Sequence, residues 1–301
     1  MGQMHLRALR ISLLVEVVAV AEPASENAAR IRLGGIAVYS TLAEMIASTA
    51  LDGVLVAAPS GHHFDLVADI AAAGLPILCE KPCGLTADDA AAAGSLARQH
   101  GVFLQVGYWR RFVPALQALR TQILDGSLGN LLTLSCGQWD EQPPSAQFRT
   151  GSGGIFVDMG VHEIDQLMWL TGQRVESVVV ARQPAAPDAE VPGDIDCAQA
   201  LLVLSGGTVA SISLGRYFPG GDLVTVEAFA TNGHQRITVL EPLLGEEAQL
   251  DALRRQAEAF AANCRGESAG GATAYDAATA LQIAQELTSA AGLSVLGHST
   301  A

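Results

Sequence analysis

An α/β chain with an N-terminal parallel sheet and a C-terminal α+β half is the fold class this sequence predicts, on three observations. Over the first 110 residues, short apolar runs rich in Val, Ile and Leu alternate with helical stretches. Those runs are apolar at consecutive positions, the pattern of strands covered on both faces by helices. After Phe112 the rhythm changes to consecutive strand-like runs with few helices between them. That change predicts two domains, 1–110 and 111–301, the second built on an open, mostly antiparallel sheet.

The elements follow in order. Residues 3–10 read as a short helix and 15–21 as a buried strand rich in valine. The strand ends at Glu22-Pro23, and a polar helix covers roughly 24–32. Residues 37–39 form the next strand, after which Ser40 or Thr41 caps a helix carrying Leu42, Met45 and Ile46. Residues 53–58 are a continuous apolar strand ending at Pro59-Ser60-Gly61-His62-His63. A helix over about 63–73 stops at Gly74, and residues 76–79 give a strand that runs into Glu80-Lys81-Pro82. Thr86 with Asp89 makes a capping box for a helix reaching about His100, and 102–106 is the last strand of this half. A helix to about Leu124 and the Asp125-Gly126 turn follow. Strand-like runs come at about 130–139, 174–182, 197–204, 208–216, 223–230 and 236–240, with one helix near 155–171. Two C-terminal helices lie near 246–265 and 275–291; in the first, Leu250, Leu253, Ala257, Phe260 and Cys264 form a core stripe. A Pro/Ala loop occupies 184–193.

Composition narrows the function. A formal charge of −14 argues against nucleic acid and against anionic membrane surfaces. The five cysteines are scattered, with no CxxC pair, as in a protein of a reducing compartment. Cys79 and Cys83 lie four apart, but no second pair completes a zinc site. Arg7, Arg10 and the apolar run to Ala19-Val20-Ala21 imitate a signal peptide. Glu16 interrupts that run and a βα pattern continues after it, so a cytoplasmic protein is expected.

The richest stretch for chemistry is Gly151-Ser152-Gly153-Gly154 and the helix after it. Glycines there permit φ > 0 or close approach to a ligand. Asp158 and His162, four apart, share one helix face, and Asp165 lies three further on. Gly160 between them keeps the surface low, so that something flat could pack there, while Ile164, Leu167, Met168 and Leu170 bury the other side. A carboxylate beside an imidazole suits acid/base chemistry on a bound ligand. The plainer alternative is a buried helix with a satisfied His–Asp pair.

In a parallel sheet, ligands bind beyond the carboxyl ends of the strands. Three strand ends carry polar candidates. Glu22 lies about 20 residues after Gly2, the spacing at which an acidic residue meets ribose hydroxyls in a dinucleotide site. Pro59-Ser60 with His63 would border the same cofactor. Glu80-Lys81-Pro82 points a lysine into the cleft, where it can lose a proton near neutral pH or stabilise a developing alkoxide.

Taken together, these motifs resemble those of the glucose–fructose oxidoreductase/inositol dehydrogenase family. The matching features are Pro59-Ser60 with His63, Leu78-Cys79-Glu80-Lys81-Pro82, Gly107-Tyr108-Trp109-Arg110-Arg111-Phe112, and the stretch from Gly153 through Asp158 and His162 to Asp165. Their order and spacing agree from about Gly2 to Asp165. The resemblance implies an NAD(P)-binding Rossmann domain plus an α+β domain with an open sheet. It implies oxidation or reduction of a sugar or polyol CH–OH/C=O group by hydride transfer, with Lys81, Asp158 and His162 as catalytic residues. It places Gly2, Glu22, Pro59, Ser60, His63, Glu80 and Lys81 at the cofactor, and Lys81, Trp109, Arg110, Asp158 and His162 at the substrate. Either Lys81 or His162 would be the base, with Asp158 orienting the lysine or the imidazole and holding its charge. Glu22 favours NAD over NADP, because a carboxylate repels a 2′-phosphate, though Arg30 and Arg32 lie close in sequence. The second-domain sheet would offer a face for homo-oligomerisation, as in the family.

The sequence departs from the family in three places. The family opens with a strand and G-x-G-x-x-G, of which Gly2 matches the last glycine alone. A misplaced start or truncated copy is therefore expected, with a remodelled fold as the alternative. Gly221 stands before Asp222 where inositol dehydrogenase-like members often have Tyr, and the segment at 241–245 is short. Two rivals follow. One is a non-catalytic member that binds a sugar or a partner without cofactor. The other is a metal-dependent isomerase or lyase using His162, Asp165 and His62 or His63, in which Lys81 has no role.

Overall fold

The computed structural model describes residues 1–182, 191, 194–242 and 246–293. Most of the Pro/Ala loop at 184–193 and of the short segment at 241–245 lies outside them.

The first half is built as the apolar rhythm predicts. Helix α1 (Gly2–Leu9) is followed by β1 (Ala19–Ala21), α2 (Ser25–Arg32), β2 (Ala37–Tyr39), α3 (Leu42–Ser48) and β3 (Val54–Val56). After a 3₁₀ turn at Ser60–His62 come α4 (His63–Ala72), β4 (Ile77–Cys79), α5 (Ala87–Gln99) and β5 (Leu104–Val106). Thr86 caps α5 through the expected reciprocal bonds with Asp89. All strand pairs here are parallel, but they form two separate sheets, β1-β2 and β3-β4-β5. The strand expected over 15–21 is correspondingly shorter. Ala19–Ala21 pair with Ala37–Tyr39, and residues 15–18 have no ladder partner. Between the two sheets lies an apolar cavity of about 1380 Å³, bounded by Ala19, Ala21, Val54 and Val56, with Leu78 and Phe260 also in its wall.

The second half begins with α6 (Pro114–Leu124), β6 (Leu131–Trp139) and the short helix α7 (Ala146–Gly151). A wide π turn at Phe156–Gly160 then leads into α8 (Val161–Thr171). Gly172, at φ 66°, ends that helix as its position suggested. Strands β7 (Val175–Arg182), β8 (Cys197–Leu204), β9 (Val209–Gly215), β10 (Leu223–Ala230) and β11 (Gly233–Leu240) complete a six-stranded sheet. Its order is β11-β10-β6-β9-β8-β7, and only the β6–β9 pair is parallel. Burial alternates strictly along β8, so one face of the sheet is core and the other is open.

Helices α9 (Glu247–Cys264) and α10 (Ala274–Ala290) return to the first half. α9 packs on α1, and α10 packs on α5. Phe260 of the predicted α9 stripe stacks on Phe103, and Ala272 bridges to Val106 at the end of β5. These contacts hold the carboxyl end of the small parallel sheet against the π turn and α8. No helix among the described residues is long and apolar enough to cross a membrane.

Candidate active site

Lys81 leaves the carboxyl end of β4 on a scaffold that its own motif supplies. Glu80 is buried; its Oε2 accepts from the Lys81 backbone N–H at 3.2 Å, and its Oε1 lies 2.5 Å from His5 Nε2 of α1. Gly107 allows this packing, because a Cβ there would come within 2.9 Å of the Glu80 Cα. The Lys81–Pro82 peptide is cis. From this base the Lys81 side chain crosses to the second half, where Nζ donates to the Asp158 carbonyl at 2.6 Å and lies 3.5 Å from Asp158 Oδ1.

The glycine loop sets up the other wall. Gly153 and Gly154 have φ of 85° and 86°, values that disfavour a side chain. The Asp158 N–H donates back to the Gly154 carbonyl at 2.8 Å. One widened turn then carries Asp158, and its carbonyl accepts from Lys81. His162 follows on the first turn of α8, 8% exposed, edge-on to Tyr108 and Trp109 with ring centroids 6.1 and 6.5 Å away. Burial drives its pKa well below the ordinary 6.5, and the charges of Lys81 and Arg110 add to that depression. The imidazole is therefore neutral at neutral pH. Its buried Nδ1 has no hydrogen-bond partner among the described residues.

Several expected roles change. The Asp158 carboxylate does not pair with His162; its oxygens face Lys81 at 3.5 Å and Arg216 at 3.7 Å. What packs over Gly160 is the core: a Cβ there would meet Leu214 and Phe156. Trp109 is buried against the His162 ring. Arg110, expected at the substrate, is 3% exposed and spans Glu163 Oε1 at 2.6 Å and Gln138 Oε1 at 2.7 Å. Burial raises the Glu163 pKa, against the opposing pull of Arg110. The two carboxylate oxygens of Asp165 are taken by Arg111, from Nε at 3.0 Å and Nη2 at 2.5 Å. Asp165 is thus the acceptor of a bidentate ion pair, which removes it from the metal-ligand reading. Among the described residues no group of three His, Cys, Asp or Glu could hold a metal.

On the cofactor side, Glu22 stands after β1 with one oxygen accepting from the Ala24 N–H at 2.8 Å. Gly2, Glu22 and Pro59 border the large cavity, and Ser60 opens the turn after β3. His63 does not face this space. It is 1% exposed, with Nδ1 2.7 Å from the Pro82 carbonyl and Nε2 2.8 Å from the Ala58 carbonyl. It ties two strand ends together, and the exposed neighbour His62 lines the cavity instead.

Three residues at the site escaped sequence reasoning: Arg216, Asp194 and Arg149. Arg216 follows a strand, Arg149 precedes the glycine loop, and no spacing rule links them. Asp140, after β6, also feels this site. Burial raises its pKa, with Gln138 opposing; Asp222 and Asp158 raise it further and Lys81 lowers it.

Comparison with known proteins places this geometry. Residues 1–108 match the model of the GFO/IDH/MocA oxidoreductase family, NAD-binding Rossmann fold, and residues 116–236 match the GFO/IDH/MocA C-terminal domain. The rhizopine catabolism protein MocA of Rhizobium meliloti is 49% identical over 96% of this chain and 91% of its own length. This chain belongs to the GFO/IDH/MocA family. It is an NAD-dependent oxidoreductase of that family. Inositol 2-dehydrogenase of Rhizobium meliloti strain 1021 is 31% identical over 77% of this chain and 71% of its own. The crystal structure of myo-inositol 2-dehydrogenase from Lactobacillus plantarum superposes with a TM-score of 0.85 at 26% identity. It covers 98% of this chain and 96% of that one.

The residues present fit NAD at two points. Glu22 offers a carboxylate to ribose hydroxyls at the end of β1, and Lys81 with His162 offers proton-handling groups for the nicotinamide end. Gly2 lies beside Ala57, after β3, on the wall of the same cavity as Glu22.

Proposed function

We propose that this oxidoreductase moves a hydride between NAD and the CH–OH/C=O carbon of a cyclic polyol or sugar. The observation that carries the reading is that Lys81, fixed by the Asp158 carbonyl and carboxylate, lies near enough to an uncharged His162 for its charge to act on the imidazole. NAD, when bound, supplies the hydride acceptor. His162, held neutral, takes the hydroxyl proton as the C–H bond gives up its hydride. Lys81 donates a hydrogen bond to the oxygen and stabilises its developing charge. Asp158 holds the Lys81 ammonium in line. The cyclic polyol class is supported by the relatives named for inositol dehydrogenation. Gly221, in place of a tyrosine before Asp222, leaves the particular polyol to be found by assay. Glu22 favours NAD over NADP at the ribose.

The test is turnover of NAD with a panel of inositol isomers and monosaccharides. Lys81→Ala should lower kcat by about 10²–10⁴-fold while NADH binding stays near wild type. Unchanged turnover in that variant removes Lys81 from the chemistry. Absence of both NADH binding and polyol turnover would favour the non-catalytic reading.

We also propose that the protein self-associates through the open face of the six-stranded sheet; the exposed Val179, Leu201, Val203, Val209 and Phe229 support this. Sedimentation of a Val203→Glu variant checks it.

A further inference from the structure

We infer that Arg216 is a positioning residue for the reaction, holding the Asp158 carboxylate in the orientation that serves Lys81. The inference rests on the roles proposed above for Lys81 and Asp158. Arg216 directly follows β9 and is fully buried, at 0% exposure. Its backbone N–H donates to the Asp196 carbonyl at 2.9 Å, and Nη1 donates to Asp194 Oδ2 at 2.5 Å. Arg149 Nε shares that same Asp194 oxygen at 2.7 Å, and Arg149 Nη2 lies 3.0 Å from Asp196 Oδ1. The free fork of Arg216 turns toward the active site, with Nη2 3.7 Å from Asp158 Oδ2. Nε and Nη2 make no hydrogen bond among the described residues.

The result is a chain of alternating charge: Lys81, Asp158, Arg216, Asp194, Arg149, Asp196. It contains three cations and three carboxylates, so it is internally neutral. Burying a guanidinium costs several kcal/mol unless carboxylates surround it. Asp194 alone could supply that partner if Arg216 served the fold only. Yet the side chain also reaches the Asp158 oxygen that Lys81 does not use. The geometry gives this second contact a purpose. The terminal torsion of an aspartate is broad, so one cation 3.5 Å from one oxygen leaves the carboxylate plane free to turn. A second fixed cation 3.7 Å from the other oxygen narrows that freedom by charge attraction, without a hydrogen bond. Lys81 then meets a carboxylate set in one plane, and its Nζ stays aimed across the cleft at the substrate.

The experiment is a double-mutant cycle on kcat and KM with the best polyol substrate, using Arg216→Gln, Asp158→Asn and the pair. Arg216→Gln should lower kcat by about 10²-fold, the usual consequence of an ångström of misplacement, and leave KM for NAD unchanged. In the Asp158→Asn background the same change should alter kcat by less than about twofold, because the two residues act as one unit. Arg216→Lys, which restores a cation, should recover part of kcat. Equal losses in both backgrounds would mean a general structural role and overturn the inference. If Arg216→Gln does not fold, the cycle is run with Arg216→Lys, and additivity there overturns it equally. Failure of the functional reading looks different: Asp158→Asn would then leave kcat intact by itself.

Discussion

His162 should make the protein lose stability as pH falls below 6.5, and removing the imidazole should abolish that part of the loss. In the folded protein its pKa is depressed well below 6.5 by burial and by Lys81 and Arg110. The unfolded chain has no such environment and binds the proton near the ordinary 6.5. As pH falls, the unfolded state therefore takes up this proton first. The stability contributed by a neutral His162 is complete above 6.5 and drains away between 6.5 and the depressed folded value. The slope is about 1.4 kcal/mol per pH unit for one proton. A drop from pH 6.5 to 5.5 should thus cost about 1 kcal/mol through this residue, because the unfolded imidazole is already half protonated at pH 6.5. Urea unfolding of wild type and His162→Gln from pH 7.5 to 5.5 measures it. The difference between the two curves isolates the imidazole of His162. Parallel stability curves for the two proteins would refute the reasoning. The same depression should keep the acid limb of kcat below pH 6.5.

Three further outcomes are expected. Asp165→Asn breaks the buried bidentate pair with Arg111 and should destabilise by about 3–5 kcal/mol, read as a fall in Tm. A loss under about 1 kcal/mol would show the pair to be unimportant to the fold. Gly153→Ala places a Cβ 2.5 Å from Val157 Cγ1 at a φ of 85°. It should cost about 1–3 kcal/mol in a denaturant titration and weaken turnover by disturbing the Asp158 turn; an unchanged Tm would contradict this. A six-residue apolar strand fused ahead of Met1 through a glycine turn should enter the cavity between β1 and β3 and pair with both edges. NADH affinity, followed by nicotinamide fluorescence, should then tighten by about tenfold or more. No change would show that the cavity does not accept a strand.

The chain wrote much of its fold into local pattern. Every apolar run of the first half contains a strand, and the second-half strands lie within a few residues of where periodicity puts them. The Thr86–Asp89 cap, Gly172 and the φ values of Gly153 and Gly154 were legible because short-range geometry alone decides them. Part of the expected constellation is close in space: Lys81 contacts Asp158, and its charge reaches His162. The partners of these side chains were not legible. Asp158 could have served the lysine or the imidazole, and the spacing along the chain did not choose; in the fold its carboxylate faces Lys81 on one oxygen and Arg216 on the other.

Sequence by itself determined the order of strands and helices, the helix ends and the residue types available for proton transfer. Each of these depends on neighbours within a turn or two of chain, where spacing and steric rules act. Tertiary structure alone decided which charges meet. Arg216 reaches Asp158 across 58 positions, Arg111 claims Asp165 across 54, and His5 reaches Glu80 across 75. It also decided that His63 would brace two strand ends while His62 faced the cavity. Such pairings are fixed by burial: a charge removed from water must take the nearest opposite charge in space, and the fold, not the spacing along the chain, says which one that is.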